Sequence, residues 1–404
     1  MTRANEWREG WPVVLASLGG ITMGLAPIPF YTLGLFAPEL RHAFGWSQGE
    51  IMAALSVLTV ASIVAAPVVG LLVNRVGARP VAIASLLLFG VGLMLPALSN
   101  GSLGRWYASW ALLSLLGAGT LPITWTRAIT ASFRRRRGLA LGLALMGTGL
   151  FGFFGKPLTA ALIAGVGWRG AWVGLGLLPI VVAAPLAWAL FRAPVPAASP
   201  RTQASGAVGL RDWRLWLIAL ALLPISFALA GPIPNMEAIL RADGLADSSI
   251  RAITPFIGLA ALVGRLAGGG LMDRYWAPGV AFLLLCLPAA ALLLLAHGTI
   301  GSSGALVAAL LIGLAIGVEY DVVAFLVARY FPERSYAPLY AITYTAFLLG
   351  AGFAPMIFGW SFDRVGSFSP MLTGAATGLL AGAGLLLGLG PYRTVDAGGS
   401  PVPA

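Results

Sequence analysis

The chain has 404 residues, of which 59% are hydrophobic and only 10% charged, and its mean hydropathy is +0.90. Soluble domains carry about a quarter charged residues, so composition alone excludes one and indicates an integral membrane protein. The net charge of +11 comes from 24 arginines and one lysine against 14 acids, scattered in ones and twos between apolar runs, which reads as membrane topology and excludes a nucleic-acid-binding face.

The opening "MTRANEWREG" is polar, carries two acids and is followed by no small-residue cleavage site, so the first apolar run is expected to be a permanent helix. Runs long enough to span a bilayer cover residues 11–38, 48–73, 80–98, 106–131, 139–164, 170–191, 213–240, 252–272, 278–297, 303–329, 336–361 and 368–390, twelve in all. Between the sixth and seventh lies "APVPAASPRTQASGAVGLR" (193–211), rich in Pro, Ala, Ser and Gly and without a periodic apolar face. The expected organisation is a six-helix bundle over 1–192, a cytoplasmic linker over 193–211, and a second six-helix bundle with a short cytoplasmic tail over 212–404. One cysteine, Cys286, leaves no internal disulfide.

Arginine placement sets the orientation. With the N-terminus inside, the inner loops hold sixteen arginines (3, 8, 75, 79, 134–137, 192, 201, 211, 214, 274, 329, 334 and 393) and the outer loops six (41, 105, 169, 241, 251 and 364). That bias predicts a multi-pass protein of the cell (inner) membrane with both termini cytoplasmic. The two halves also repeat: "GLLVNR" (70–75) recurs as "GGLMDR" (269–274) at an offset of 199, and "TASFRRRRGLA" (130–140) as "ARYFPERSYAP" (328–338) at 198. Duplicated halves with a site near the midplane between them are a secondary-transporter architecture.

At these motifs the chain resembles the major facilitator superfamily. "GLLVNRVGAR" (70–79) is similar to its loop motif Gly-x-x-x-Asp-Arg-x-Gly-x-Arg, with Asn74 where Asp is usual. The resemblance gives Gly70, Asn74, Arg75, Gly77 and Arg79, with Asp273 and Arg274 in the second half, a role in conformational change. Asn at that position, together with "FGWS" (44–47), "SFRRRRGLALGLALMG" (132–147) and "GWRGAW" (167–172), resembles the monocarboxylate porters and the neighbouring oxalate–formate exchangers. The implied fold is all-α, with twelve transmembrane helices in two pseudo-symmetric six-helix bundles. In that group an arginine of the eighth helix, in a context like "VGRLAGG", binds the substrate carboxylate, and Arg265 matches it. Ala261 stands where several animal members carry Asp, and the lysines of the first and eleventh helices would fall near Phe30 and Phe347. These departures suggest a larger, partly apolar substrate.

The residues point the same way. Arg265 lies eight residues before Asp273, about 12 Å from the end of its run, where a charge is costly and usually functional. Its planar fork of donors matches a carboxylate bidentately; the plainer role is an ion pair with Glu319 or Asp321. Lys156 lies too deep for easy snorkelling and, if the fifth and eighth helices adjoin as in the superfamily, would form a two-cation pocket with Arg265; otherwise it reaches the outer interface or pairs with an acid. Arg127 is a third candidate for the substrate, although it can also reach the inner surface. Glu319 and Asp321 stand two apart on the tenth run, so only one is expected to face a cavity and carry a proton.

Glu237, His42 and His297 are expected to be solvated or capping. The run Arg134–Arg137 reads as a topology anchor, and the tryptophans as interfacial belts. The six glycines of "GLALGLALMGTGLFGFFG" (138–155), which include the pair Gly138-x-x-x-Gly142, suit a moving seam between the halves, although packing alone would explain them.

The leading expectation is a secondary active transporter, not an enzyme, importing an organic carboxylate anion with protons by alternating access, without cofactor or metal and as a monomer in the bilayer. Efflux of amphipathic compounds and anion exchange are the alternatives. No Gly-x-x-x-x-Gly-Lys-Ser/Thr loop is present for ATP, and two distant histidines exclude an intramembrane zinc protease.

Overall fold

The structure, a computed structural model, describes residues 3–133, 136–192, 210–332 and 335–392. The side chains at 3–5, 273, 320, 321 and 337 are not among those described, so the side chains of Asp273 and Asp321 lie outside the described residues, as do Arg134 and Arg135. Among the described residues every regular element is helical.

The first half comprises α1 (Arg3–Thr22), α2 (Pro27–Phe44), α3 (Gln48–Val76), α4 (Ala78–Met94), α5 (Leu103–Gly117), α6 (Pro122–Ser132), α7 (Arg137–Leu145), α8 (Gly147–Leu178) and α9 (Ala184–Leu190). The second comprises α10 (Trp213–Ala230), α11 (Pro232–Ala242), α12 (Asp247–Ile253), α13 (Phe256–Arg274), α14 (Ala277–His297), α15 (Gly301–Tyr330), α16 (Tyr336–Val365) and α17 (Ser369–Leu387).

Eleven stretches are long and apolar enough to cross a bilayer, and one of them, Arg137–Leu190, has 54 residues. A straight helix of that length would run about 80 Å, more than twice the hydrocarbon thickness. At Gly167 the backbone turns through φ 71°, ψ 169°, and Gly174 comes back against Leu162. The stretch therefore makes two passes, and the described residues contain the twelve spans read from the sequence. Several spans break in mid-course, at residues 23–26, 118–121, 146, 231 and 254–255. Backbone freed in a membrane needs a partner: at the first break Leu25 N donates to Thr120 Oγ1 (2.9 Å), so the break in the first span is satisfied by that in the fourth.

An even number of passes per half puts residues 192 and 210 at one end of the molecule, called here the linker end; the opposite end is the distal end. At the distal end α2 stops at Gly45 in a left-handed conformation, and α3 starts on a Ser47–Glu50 capping box. The halves meet there and at mid-depth. Asp363 of α16 accepts from the N–H groups of Gln48 (3.0 Å) and Gly49 (2.7 Å), so an acid of one half satisfies the first turn of a helix of the other. Gln48 Nε2 donates to Asn235 Oδ1 (2.9 Å), and Ser56 Oγ donates to the Gly352 carbonyl (2.9 Å). Toward the linker end α1, α6, α7 and α9 pack among themselves, and a Cβ at Gly70, Gly138, Gly142, Gly269 or Gly270 would meet nothing. Of the glycines in 138–155, Gly138 and Gly142 therefore face no backbone among the described residues, whereas Gly149 and Gly152 pack against Gly258 of the other half.

The cores differ. The distal part of the first half is aromatic, with Trp46, Trp106, Trp110 and Trp172 in a chain of ring contacts that Phe36 joins by stacking on Trp172 at 4.1 Å. This corrects the expectation for tryptophan. Trp11, Trp188, Trp213, Trp216 and Trp360 are exposed in the manner of a belt, but Trp106, Trp110, Trp125 and Trp172 are fully buried.

Candidate substrate and coupling site

The two halves cross most tightly where α8 meets α13. A Cβ on Gly258 would lie 2.3 Å from the backbone of Gly152 and Phe153, so the helices touch main chain to main chain. Two turns further along α13, Arg265 leaves the second half and its Nη1 donates to the Leu145 carbonyl of the first. That carbonyl ends α7, just before the break at Met146, and also accepts from Thr148 Oγ1 (3.1 Å). Arg265 is 8% exposed. Behind its backbone Gly317 of α15 packs so closely that a Cβ there would sit 2.6 Å from the Arg265 main-chain nitrogen. Tyr31 of α2 lies within reach of its charge. A guanidinium is thus held at the depth where the halves part, on the crossing between them.

Lys156, on α8, forms an ion pair with Glu237 of α11, both side chains being almost wholly buried. Two expectations are corrected here. Glu237 is neither solvated nor capping, because α2 and α8 close over it. Nor do Lys156 and Arg265 form one pocket: eleven residues separate Lys156 from Leu145, about 16 Å along a helix, and Lys156 is occupied by Glu237. The pair ties the halves together nearer the distal end, and Glu237 Oε2 has no hydrogen-bond partner.

Glu319 faces elsewhere. It lines a small cavity between α10, α14 and α15, walled by Leu222, Ile225, Leu284, Leu285 and Val322. It is 5% exposed, and its Oε1 has no hydrogen-bond partner. Gly317, two residues earlier, faces α13; the reversal over two residues is that of a helix. Glu319 therefore belongs to the interior of the second bundle and is not Arg265's counter-ion.

Arg127 is at neither cluster. Its Nη2 donates to Asn74 Oδ1 (2.8 Å) in an exposed pair at the linker end, so the structure assigns it to the loop motif and corrects its grouping with the substrate cations. In that motif Gly77 takes φ 93° between α3 and α4, a conformation glycine accepts without strain. Arg79 Nη2 donates to the Trp188 carbonyl (2.6 Å), and Gly70 and Arg75 border open space and solvent. Arg274 lies over the ring of Tyr275 at 5.9 Å.

One feature was missed from the sequence. Tyr336, Tyr340, Tyr344 and Phe347 of α16 stack in a row, with centroids 5.6, 5.5 and 5.5 Å apart. Their spacing of four, four and three is that of one helix face, a signal the sequence did contain. Ala341, Thr345 and Leu349 mark the exposed face roughly opposite, so the row lines the inside. Phe347 lies eleven residues from the start of α16 and Glu319 eleven before the end of α15; the short turn between the helices puts them at one depth. The aromatic row therefore runs from the linker end up to the depth of Arg265.

Residues 19–355 match the Major Facilitator Superfamily. The chain belongs to that superfamily. It is a transporter, not an enzyme, and it is related to monocarboxylate transporters. It is 26% identical to Monocarboxylate transporter 11 of Mus musculus over 94% of this chain and 88% of that one. To Monocarboxylate transporter 13 of Bos taurus it is 27% identical over 94% and 89%. Among solved structures, a bacterial homologue of the human lysosomal transporter Spinster, described as inward-facing and occupied, superposes with a TM-score of 0.67 at 17% identity over 95% of each chain. At that identity the likeness concerns the fold.

Proposed function

We propose that this transporter moves an organic anion with a carboxylate group by alternating access, with uptake coupled to protons. The observation that carries the reading is Arg265, a buried guanidinium on the crossing between two halves that are joined at the distal end. A carboxylate would engage the guanidinium's planar fork of donors bidentately. The names of the relatives support a monocarboxylate. The aromatic row on α16 favours an anion with an apolar body over a very small one. With both termini in the cytoplasm, as arginine placement suggests, the bonds at the distal end close the outward side in the state described here.

Glu319 is our candidate for the proton. Burying an unpaired carboxylate among apolar side chains costs several kcal/mol, so the group suits this cavity as the neutral acid. Among the described residues that line the cavity no other is titratable. Protonation then permits the packing of α10, α14 and α15 seen here, and proton loss disfavours it.

The test is uptake by proteoliposomes of pyruvate, lactate and benzoate under an inward proton gradient. Arg265→Gln should abolish uptake and Arg265→Lys should recover little, because an ammonium lacks the planar fork. Glu319→Gln should lose gradient-driven uptake but retain counterflow of labelled against unlabelled substrate. Uptake indifferent to Arg265, with export of amphipathic cations instead, would replace this reading by efflux.

A further inference from the structure

The distal end holds few arginines, and two of them border one cavity. On the seam between α2 and α11 lies a space of about 310 Å³ with Arg41 and Arg241 on its walls and Gln48 and Phe362 beside them. It exists because the facing residues are small: Ala37 and Pro38 on α2, Ala238 and Ala242 on α11. Its floor is Gly34. A Cβ there would lie 2.2 Å from the Pro234 carbonyl oxygen and 2.6 Å from Glu237 Oε2, so only a hydrogen separates the floor from the buried Lys156–Glu237 pair.

The arginines around this space differ from their neighbours. Arg169 lies over Trp168 at 4.2 Å and donates to the Ser99 carbonyl, and Arg364 lies over Trp360 at 3.8 Å; both are engaged locally. Arg41 is exposed, and its guanidinium makes no hydrogen bond or ion pair among the described residues. Arg241 holds Asp247 Oδ1 through Nε (3.1 Å) and Nη2 (2.6 Å), with side chains 44% and 57% exposed, a surface pair of small worth that an incoming anion can displace. The two positions also correspond in the duplicated halves. "LRHAFG" (40–45) and "LRADG" (240–244) each follow Leu-Arg with a left-handed glycine, at an offset of 200 close to that of the other repeated motifs. Duplication has placed one arginine from each half on the same mouth.

We propose that this cavity is a carboxylate-capture site: Arg41 and Arg241 hold the substrate's carboxylate at the distal mouth, and Lys156 receives it when Glu237 withdraws as that end opens. The inference rests on the carboxylate reading above. Two exposed guanidinium groups at the head of a cleft concentrate anions and orient a carboxylate. Handing it to Lys156 in exchange for Glu237 keeps a counter-ion on the buried ammonium at every stage, which avoids the cost of an uncompensated buried charge.

The test compares the two faces. Uptake of benzoate and pyruvate is measured in membrane vesicles of both orientations for the native protein, Arg41→Gln/Arg241→Gln, Arg41→Lys/Arg241→Lys and Arg265→Gln. The Gln pair should raise KM from the distal face about tenfold, move KM from the linker face less than about twofold, and flatten the dependence of distal KM on ionic strength. The Lys pair should recover most of the distal KM, which a purely structural role for Arg241 with Asp247 would not predict. A distal KM unmoved by the Gln pair, or one raised equally at both faces, overturns the capture site. In that case loss of uptake in Arg265→Gln would leave the carboxylate reading standing. Native protein that transports neither probe from either face overturns both.

Discussion

A lysine and a glutamate from opposite halves, both out of water, are stable only together. Taking away one partner of a buried pair leaves an uncompensated charge and costs about 3–5 kcal/mol, whereas replacing both by apolar side chains of similar size is often neutral. Lys156→Met and Glu237→Gln should each lower the melting temperature of the purified protein, and Lys156→Met/Glu237→Met should recover most of the loss. If the double variant melts as low as the singles, the pair is not acting as a unit. Lys156 stood out in the sequence as a solitary lysine deep in an apolar run. Glu237 did not, because its place near the end of a span read as solvated, and which helices cover that end is not written in its own neighbourhood. Arg127 shows the converse: its run of residues fitted either cavity or surface, and only the bond to Asn74 decided between them.

At the scale of helices, closeness at the seam depends on which glycines face a backbone. "GLALGLALMGTGLFGFFG" offers six glycines, and the spacing of Gly138 and Gly142 marks them as a sliding pair, yet the crossing uses Gly149 and Gly152 against Gly258. Gly142 and Gly149 stand seven apart, about two helical turns, so they share a face and differ in depth: only the later glycines reach the level where α13 crosses. Gly258→Val should force α8 and α13 apart, abolishing uptake and lowering the melting temperature, while Gly142→Ala, facing open space, should retain uptake. Retained transport in Gly258→Val would remove the crossing from the mechanism. The same geometry shows why the direction of Glu319 had to come from structure: periodicity says that residues two apart diverge, and only the packing of Gly317 on α13 says which way Glu319 turns.

For the whole molecule, the distal bonds between the halves define a state closed at that end, and transport requires them to break. Gln48→Cys paired with Asn235→Cys, introduced with Cys286→Ser, replaces two side chains now joined at 2.9 Å. Joining them with a short cleavable bifunctional thiol reagent should arrest uptake until the cross-link is cleaved, and a third cysteine at Asn74→Cys should stay accessible to a hydrophilic maleimide throughout. Transport that continues while the cross-link is intact would exclude opening at the distal end. The sequence alone determined the membrane class, the twelve spans, the duplication, the superfamily and the unusual depth of Arg265. All of these follow from how apolar and how long each run is, quantities that vary along one dimension and that lipid tests run by run. Tertiary structure alone decided where each polar side chain stands: Lys156 with Glu237, Arg127 with Asn74, Arg41 and Arg241 on one cavity, and Glu319 turned into its own bundle. Lipid is as apolar as the helix faces it covers, so no burial pattern in the sequence marks the faces that pack. Partners are settled by the rotation and depth of spans from different halves, which exist only once the bundles have assembled.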